Sequence, residues 1–226
     1  MTLKAFKFRC YPNQMQRELI AKTFGCSRFV YNQLLAEQKE QDTRWLEEVK
    51  QVETGLRSKE SVEKRFFKKM DNIKKIPLLK KEFPFLKEVD SISLQATVEQ
   101  LADGYDRYYR KQNGQPKFKS KKNPVQSYTT KSVNGNIAIL DNRIKLPKLG
   151  MLRFAKSREV TGCIKRVFIR QNAAGKYFIS VLADTEVSSL PVTEKAIGID
   201  LGLSSFATLS NGEIIRNERF FVTLES

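Results

Sequence analysis

The 226-residue chain contains no histidine, and only three cysteines, Cys10, Cys26 and Cys163, none of them in a C-x-x-C pair. Histidine-based acid–base and triad chemistry is therefore excluded. So is a zinc site of four cysteines or of mixed cysteine and histidine in any usual spacing. The cysteines read as small buried residues of a cytosolic protein. Long apolar runs are lacking too: nothing approaches ~18 consecutive apolar residues, so no spanning helix is expected. Residues 1–10 alternate apolar and basic instead of forming the apolar block of a signal peptide. Internal repeats and low-complexity tracts are absent. Acidic residues are few, 25 Asp and Glu against 41 Lys and Arg, a formal net charge of +16. That balance points to a polyanionic partner bound by phosphate neutralisation, and favours nucleic acid over a membrane surface. The expected setting is cytoplasmic and nucleoid-associated, and any hydrolysis has to come from carboxylates and metal ions.

What is present is enough apolar residue, 40%, for a real core. Residues 3–10 predict a strand with Phe6, Phe8 and Cys10 on one face and Lys7 and Arg9 on the other. Tyr11-Pro12-Asn13 ends it and offers Asn13 as a helix N-cap. Helices are predicted at 14–24 and about 27–53 around Gly25, a pair that can be a DNA-binding helix-turn-helix or an ordinary helical hairpin. A basic helix is predicted at 61–76, with Pro77 and Pro84 bracketing a short connection. Leu94, Val98, Leu101, Tyr105 and Tyr108 make the apolar stripe of a helix over 91–111. After residue 112 the period falls to near two. Strands are predicted at 137–140, 144–146, 151–155, 164–170 and 177–182, with a tight hairpin at Asp141-Asn142 and a loop at Ala173–Gly175. These suggest a small barrel or sandwich. If the first strand completes it, the helical block is an insertion.

Charge is concentrated. Arg110 to Arg158 holds thirteen Lys and Arg and one acid, Asp141. Basic residues beside aromatic rings suit a phosphate track with a stacking platform. The candidate contacts are Arg110, Lys111, Lys117, Phe118, Lys119, Lys121, Lys122, Tyr128, Arg143, Lys145, Lys148 and Arg153. A solvated basic face is the alternative, disfavoured because such like-charge crowding strains the fold. Charge does not separate RNA from DNA.

The segment Ala196-Ile197-Gly198-Ile199-Asp200-Leu201-Gly202 reads as a buried apolar strand interrupted by one acid, which is costly unless paired or metal-bound. A strand at 206–209, a type I′ Asn211-Gly212 turn and a return at 213–216 follow. RNase H-like folds open this way, the acid holding divalent metal for two-metal phosphodiester hydrolysis. Two alternatives stay open: the opening of an actin-like ATPase, and a structural aspartate capping the next turn.

In order along the chain, Lys7-Phe8-Arg9-x-Tyr11-Pro12 with Gln16, Phe29-Val30-Tyr31-Asn32, and Leu94-Gln95 through Leu101-Ala102 with Tyr105 and Tyr108-Tyr109-Arg110 are joined by four further matches. These are Gly114-Gln115-Pro116-Lys117-Phe118-Lys119, Lys145 to Gly150, Gly175-Lys176-Tyr177-Phe178 and Gly198-Ile199-Asp200-Leu201-Gly202. The set resembles the OrfB/TnpB family of insertion-sequence proteins, relatives of the type V CRISPR nucleases. The resemblance implies an α+β architecture. Residues 1–12 would be the first strand of a small antiparallel β-barrel (wedge domain), 13–112 an inserted helical recognition domain, 113–192 the rest of the wedge barrel, and 193–226 the start of an RNase H-like (RuvC) domain. It implies RNA-guided DNA endonuclease activity linked to transposition, with guide RNA and target DNA as partners, and Mg2+ as cofactor with Asp200 as first catalytic and metal-binding carboxylate. The chain departs from the family pattern after Asp200. Only 26 residues follow, and neither the later catalytic Glu and Asp nor the four-cysteine zinc insertion can be placed. The expectation is a truncated, fragmentary or decayed gene product that does not cleave DNA, with zinc absent. The alternative is a non-enzymatic RNA-guided DNA-binding repressor or competitor.

Overall fold

The alternation of the first ten residues produces a strand that becomes the middle of a sheet. In the computed structural model, which describes residues 2–186 and 196–218, β1 (Thr2–Tyr11) buries Phe6, Phe8 and Cys10 and turns Lys7, Arg9 and Tyr11 the other way. The later strands are β2 (Gln126–Lys131), β3 (Ala138–Leu140), β4 (Arg143–Leu146), β5 (Gly150–Phe154), β6 (Cys163–Gln171) and β7 (Tyr177–Thr185). They join β1 in one sheet in the order β2-β6-β7-β1-β5-β4-β3. All the pairings are antiparallel. The expected barrel is thus a seven-stranded open sheet, with β2 and β3 as its edges. The helical block does lie between β1 and β2 in the chain, as an insertion would.

Asn13 caps the first helix. Its side chain accepts from Gln16 N at 2.9 Å and its backbone N–H donates to Gln16 Oε1 at 3.1 Å. Such a reciprocal cap contributes about 1 kcal/mol. Gln16 also donates to Leu149 O and Met151 O, tying the helix start to the β5 region. The expected break at Gly25 is absent: α1 runs unbroken from Gln14 to Glu53. A mid-helix glycine costs only about 0.5–1 kcal/mol relative to alanine. The apolar contacts on both sides of it hold the helix continuous. Ile20 and Phe24 pack into the sheet core, and Val30, Tyr31, Leu34 and Leu35 into a helical core.

The expected helix at 61–76 is also corrected. A 3-10 turn at Lys59–Ser61 leads into chain that is neither helix nor strand, and helix starts only at α2 (Lys69–Lys74). Phe67 is buried, stacked on Tyr105 with ring centroids 5.3 Å apart, while Phe66 stays exposed. Pro77 and Pro84 begin helical turns, in α3 (Ile76–Glu82) and the 3-10 turn Pro84–Lys87, where their missing N–H costs nothing. Helix α4 (Ser91–Tyr109) buries the predicted stripe Leu94, Val98, Leu101 and Tyr105 and is capped by Asp90.

The chain divides into two compact units, residues 1–187 and 188–226. In the second, β8 (Ile199–Asp200), β9 (Ser205–Leu209) and β10 (Ile214–Arg216) form an antiparallel sheet in the order β10-β9-β8. The Asn211-Gly212 turn closes it, but only Gly212 has positive φ, 88°. Leu209 N bonds to Glu213 O, so the turn is a three-residue loop with glycine in the left-handed position, not type I′. Among the described residues no helix is long and apolar enough to cross a membrane.

Candidate nucleic-acid interface

Strict alternation leaves the sheet with one apolar face and one polar face. Val167 and Ile169 of β6, Ile179 and Val181 of β7, Leu152 and Phe154 of β5, and Ile144 and Leu146 of β4 are buried with the core residues of β1. Their alternates must point away. The register then sets Arg170 opposite Phe178, Phe178 opposite Arg9, Tyr11 opposite Arg153, and Arg153 opposite Arg143. Cationic and aromatic side chains thus interleave across five adjacent strands.

The contacts within this row are cation–π. The Arg9 guanidinium lies 5.1 Å from the Phe178 ring and 5.8 Å from Tyr11, and Arg153, on the neighbouring strand, also lies 5.8 Å from Tyr11. Lys7 Nζ sits 5.1 Å from Phe178. Each such contact contributes about 0.5–1 kcal/mol at an exposed site and stiffens the ring against which a base would stack. Arg9 Nη1 is buried without a hydrogen-bond partner among the described residues. Arg143 and Arg153 are both exposed and directly opposed, a like-charge pair that destabilises an isolated sheet and that a bound phosphate would relieve.

The basic segment singled out in the sequence is split by the fold. Lys117, Phe118, Lys119, Lys121 and Lys122 lie in a loop against α1 and α4. Asn32 holds this loop: its amide accepts from Lys119 N at 2.8 Å and donates to Lys119 O at 2.9 Å. Phe118 is exposed, with Lys39 Nζ 4.9 Å from its ring. Lys119 is half-buried, donates to Gln100 Oε1 at 2.6 Å and sits 4.2 Å over Tyr31. Burial pushes its ammonium down to about 8. Arg110 and Lys111 are exposed at the end of α4, Lys111 with a φ of 58°. Arg143, Lys145 and Arg153 stand exposed on β4 and β5, and Lys148 on the exposed turn between them. Arg170, Phe178, Arg9 and Tyr11 lie on β6, β7 and β1, which continue the sheet beside β5 and β4. Sequence reasoning missed these residues, because only the strand register brings them into line with Arg153 and Arg143.

Tyr128 is a correction. It was expected among the exposed stacking rings, but it is buried in the sheet core with its ring 5.8 Å from Phe24. It occupies an inward position of β2, whose neighbours Ser127 and Thr129 face the other way. Lys131 of the same segment is held by Glu99 at 2.6 Å.

Asp200 also differs from expectation. Its strand is not buried: Ile197, Ile199 and Leu201 are half or more exposed, and Asp200 is exposed with them. The physical reason is that β8 is an edge of its sheet, pairing only through Ile199–Leu209 and Asp200–Thr208. No group of three or more His, Cys, Asp or Glu able to hold a metal ion occurs among the described residues. As described, then, the surroundings of Asp200 do not fit a two-metal centre, and no catalytic step follows from them.

Comparison with known proteins adds to this geometry. A helix-turn-helix domain family of OrfB/IS605 proteins matches residues 1–43. In the structure that stretch is β1 and the first thirty residues of α1. Over 96% of its length the chain is 31% identical to a Streptomyces pristinaespiralis protein named "Putative RNA-guided DNA endonuclease", covering 50% of that protein. It is likewise 31% identical, over 94% of its length, to Escherichia coli K12 "Putative RNA-guided DNA endonuclease InsQ", covering 48% of it. The chain spans about half the length of the curated relatives it matches.

Proposed function

We propose that this chain, over the residues it spans, belongs to the OrfB/TnpB family and is the nucleic-acid-holding part of an RNA-guided DNA endonuclease linked to transposition, with a guide RNA and its DNA target as partners. The observation that carries this reading is the row Arg170, Phe178, Arg9, Tyr11, Arg153 and Arg143 across the solvent face of the sheet. Its guanidinium groups suit phosphates and its rings suit bases. An unsatisfied Arg9 nitrogen and an opposed arginine pair are features that stability alone would not select. The helices inserted between β1 and β2 serve as the recognition domain, the seven-stranded sheet as the wedge, and residues 193–226 as the start of an RNase H-like (RuvC) domain.

Asp200 is the position where this reading places a metal-binding carboxylate. Because no group of three or more metal-ligating side chains forms among the described residues, we propose that the 226-residue polypeptide by itself binds nucleic acid without cutting it. Magnesium-dependent cleavage by this purified polypeptide, abolished by Asp200→Ala, would overturn that part.

The binding reading is tested by measuring polynucleotide affinity against salt for the wild type and for Arg143→Gln/Arg153→Gln. The slope of log affinity against log salt should fall by about 2 in the double variant, near 1 per lost phosphate contact. The melting temperature should hold or rise as the like-charge pair is removed. An unchanged slope overturns the interface.

A further inference from the structure

A cavity of about 400 Å3 lies where α1, α4 and the basic loop meet, within the about 300–1,000 Å3 of pockets that hold small ligands. Helix α1 contributes Ser27 and Arg28, α4 contributes Gln100, and the loop contributes Phe118, Lys119 and Asn123. The sheet-face row does not use it. One of its lining groups has no structural occupation. Ser27 is 6% exposed, yet its hydroxyl has no hydrogen-bond partner among the described residues. A helical serine or threonine commonly bonds back to the carbonyl four residues earlier, as Thr23 does here to Leu19 O at 2.7 Å. Ser27 does not, and a buried hydroxyl without a partner lowers stability. Such a group is retained without penalty when something else satisfies it.

We infer that this cavity receives one nucleobase, turned out of a strand that follows the basic loop. The inference rests on the nucleic-acid reading above and specifies a ligand within it. The lining matches a base better than a bare anion. Gln100 and Asn123 carry amides that both donate and accept, Ser27 adds a hydroxyl deeper in, and Phe118 offers an exposed ring, the combination that reads an unstacked base by its edge and its face. Arg28, which donates to Gln126 Oε1 at 3.1 Å, and Lys119 supply positive charge for the attached phosphate. Lys119 carries its charge at a desolvation cost, so an arriving phosphate restores the charged form.

The test uses the full chain and the partly deprotonated Lys119 amine as reporter. An amine-acylating reagent is applied at pH 8 and labelling of Lys119 is read by mass spectrometry. The competitors are ribo- and deoxyribonucleoside 5′-monophosphates, with ribose 5-phosphate and inorganic phosphate as controls. Nucleotides should slow Lys119 labelling several-fold more than ribose 5-phosphate at equal concentration. A preference between ribo- and deoxyribonucleotides then names the strand that donates the base. Ser27→Ala should melt at or above the wild-type temperature and lose most of that protection. Gln100→Ala, at an exposed helix position, should lose it too. Equal protection by ribose 5-phosphate or phosphate reduces the cavity to an anion seat and overturns the inference, as does the absence of protection. If protection is absent while salt-dependent polynucleotide binding persists, the cavity inference fails alone. If polynucleotide binding is itself missing, the broader reading fails with it.

Discussion

Thr130 Oγ1 donates a hydrogen bond to Asp90 Oδ2 at 2.6 Å, joining strand β2 to the N-cap of α4. Asp90 is 8% exposed, and the same carboxylate accepts from Ile92 N at 3.0 Å and Ser93 N at 3.2 Å. One side chain therefore starts a helix and fastens it to the sheet. Asp90→Ala removes the cap and leaves the Thr130 hydroxyl buried without a partner, a combined loss of about 2–4 kcal/mol. Asp90→Asn, which keeps one acceptor, should lose less. Urea unfolding followed by circular dichroism measures both. A loss under 1 kcal/mol for the alanine variant contradicts this account.

Asn32 acts on the loop at Lys119 much as a paired strand would. Asn32→Ala should free the segment while leaving both cores closed, since the side chain is half-buried and belongs to neither. Trypsin should then cleave after Lys117, Lys121 or Lys122 at least several-fold faster than in the wild type. Nucleic-acid affinity should fall, because the loop has to be ordered again on binding. Unchanged cleavage kinetics would show that the two hydrogen bonds do not restrain the loop.

Lys119 gives stability a distinct pH dependence. Its folded-state pKa is lowered to about 8 from the ordinary lysine value of 10.5, with burial as the cause. Below about 8 both folded and unfolded states carry the proton, and the fold bears the full desolvation cost. Between about 8 and 10.5 the unfolded state holds the proton more tightly, so stability rises with pH across that window. Lys119→Met has no such cost. Its melting temperature should exceed the wild type near neutral pH, and the difference should shrink as pH rises through the window. A difference that grows with pH reverses the sign and refutes the assignment.

The continuity of α1 is tested at Gly25. A methyl group there meets nothing within 4 Å. Gly25→Ala should therefore stabilise by about 0.5–1 kcal/mol, through helix propensity alone. A destabilised variant would mean that the chain turns at this residue, as a helix-turn-helix requires.

Local patterns were legible wherever one period ran without interruption. The alternation of β1 and the four-three-four-three spacing from Leu94 to Tyr108 placed those elements within two residues. Punctuation misled where packing outweighed it. Gly25 suggested a turn that neighbouring apolar contacts suppress, and the basic run after Ser61 suggested a helix where the chain is irregular and Phe67 stacks on Tyr105. The site was less legible than the fold. Lysines near aromatics in sequence pointed to Tyr128, but proximity along the chain does not say which face of a strand a ring takes. The row of arginines and rings on the sheet is assembled from residues as distant as Arg9 and Arg170 by strand register, which no local window contains. The apolar flanks of Asp200 looked like a buried strand because composition does not reveal whether a second strand will cover the edge.

The placement of β1 also governs when the sheet can close during synthesis. Thr2 pairs with Thr185 and Tyr11 with Arg153, so the first strand made is flanked only by strands made much later. At about 5–20 residues per second, roughly 10–40 s separate emergence of β1 from that of its full partner β7. Both hydrogen-bonding edges are open until β5 emerges, and the long edge that takes β7 stays open through the whole interval, while the intervening helices, whose contacts are nearer in sequence, are already free to pack. The nascent chain thus presents an unpaired strand tethered to a folding helical domain, a form in which holdase chaperones, or its own nucleic-acid partner, have time to act.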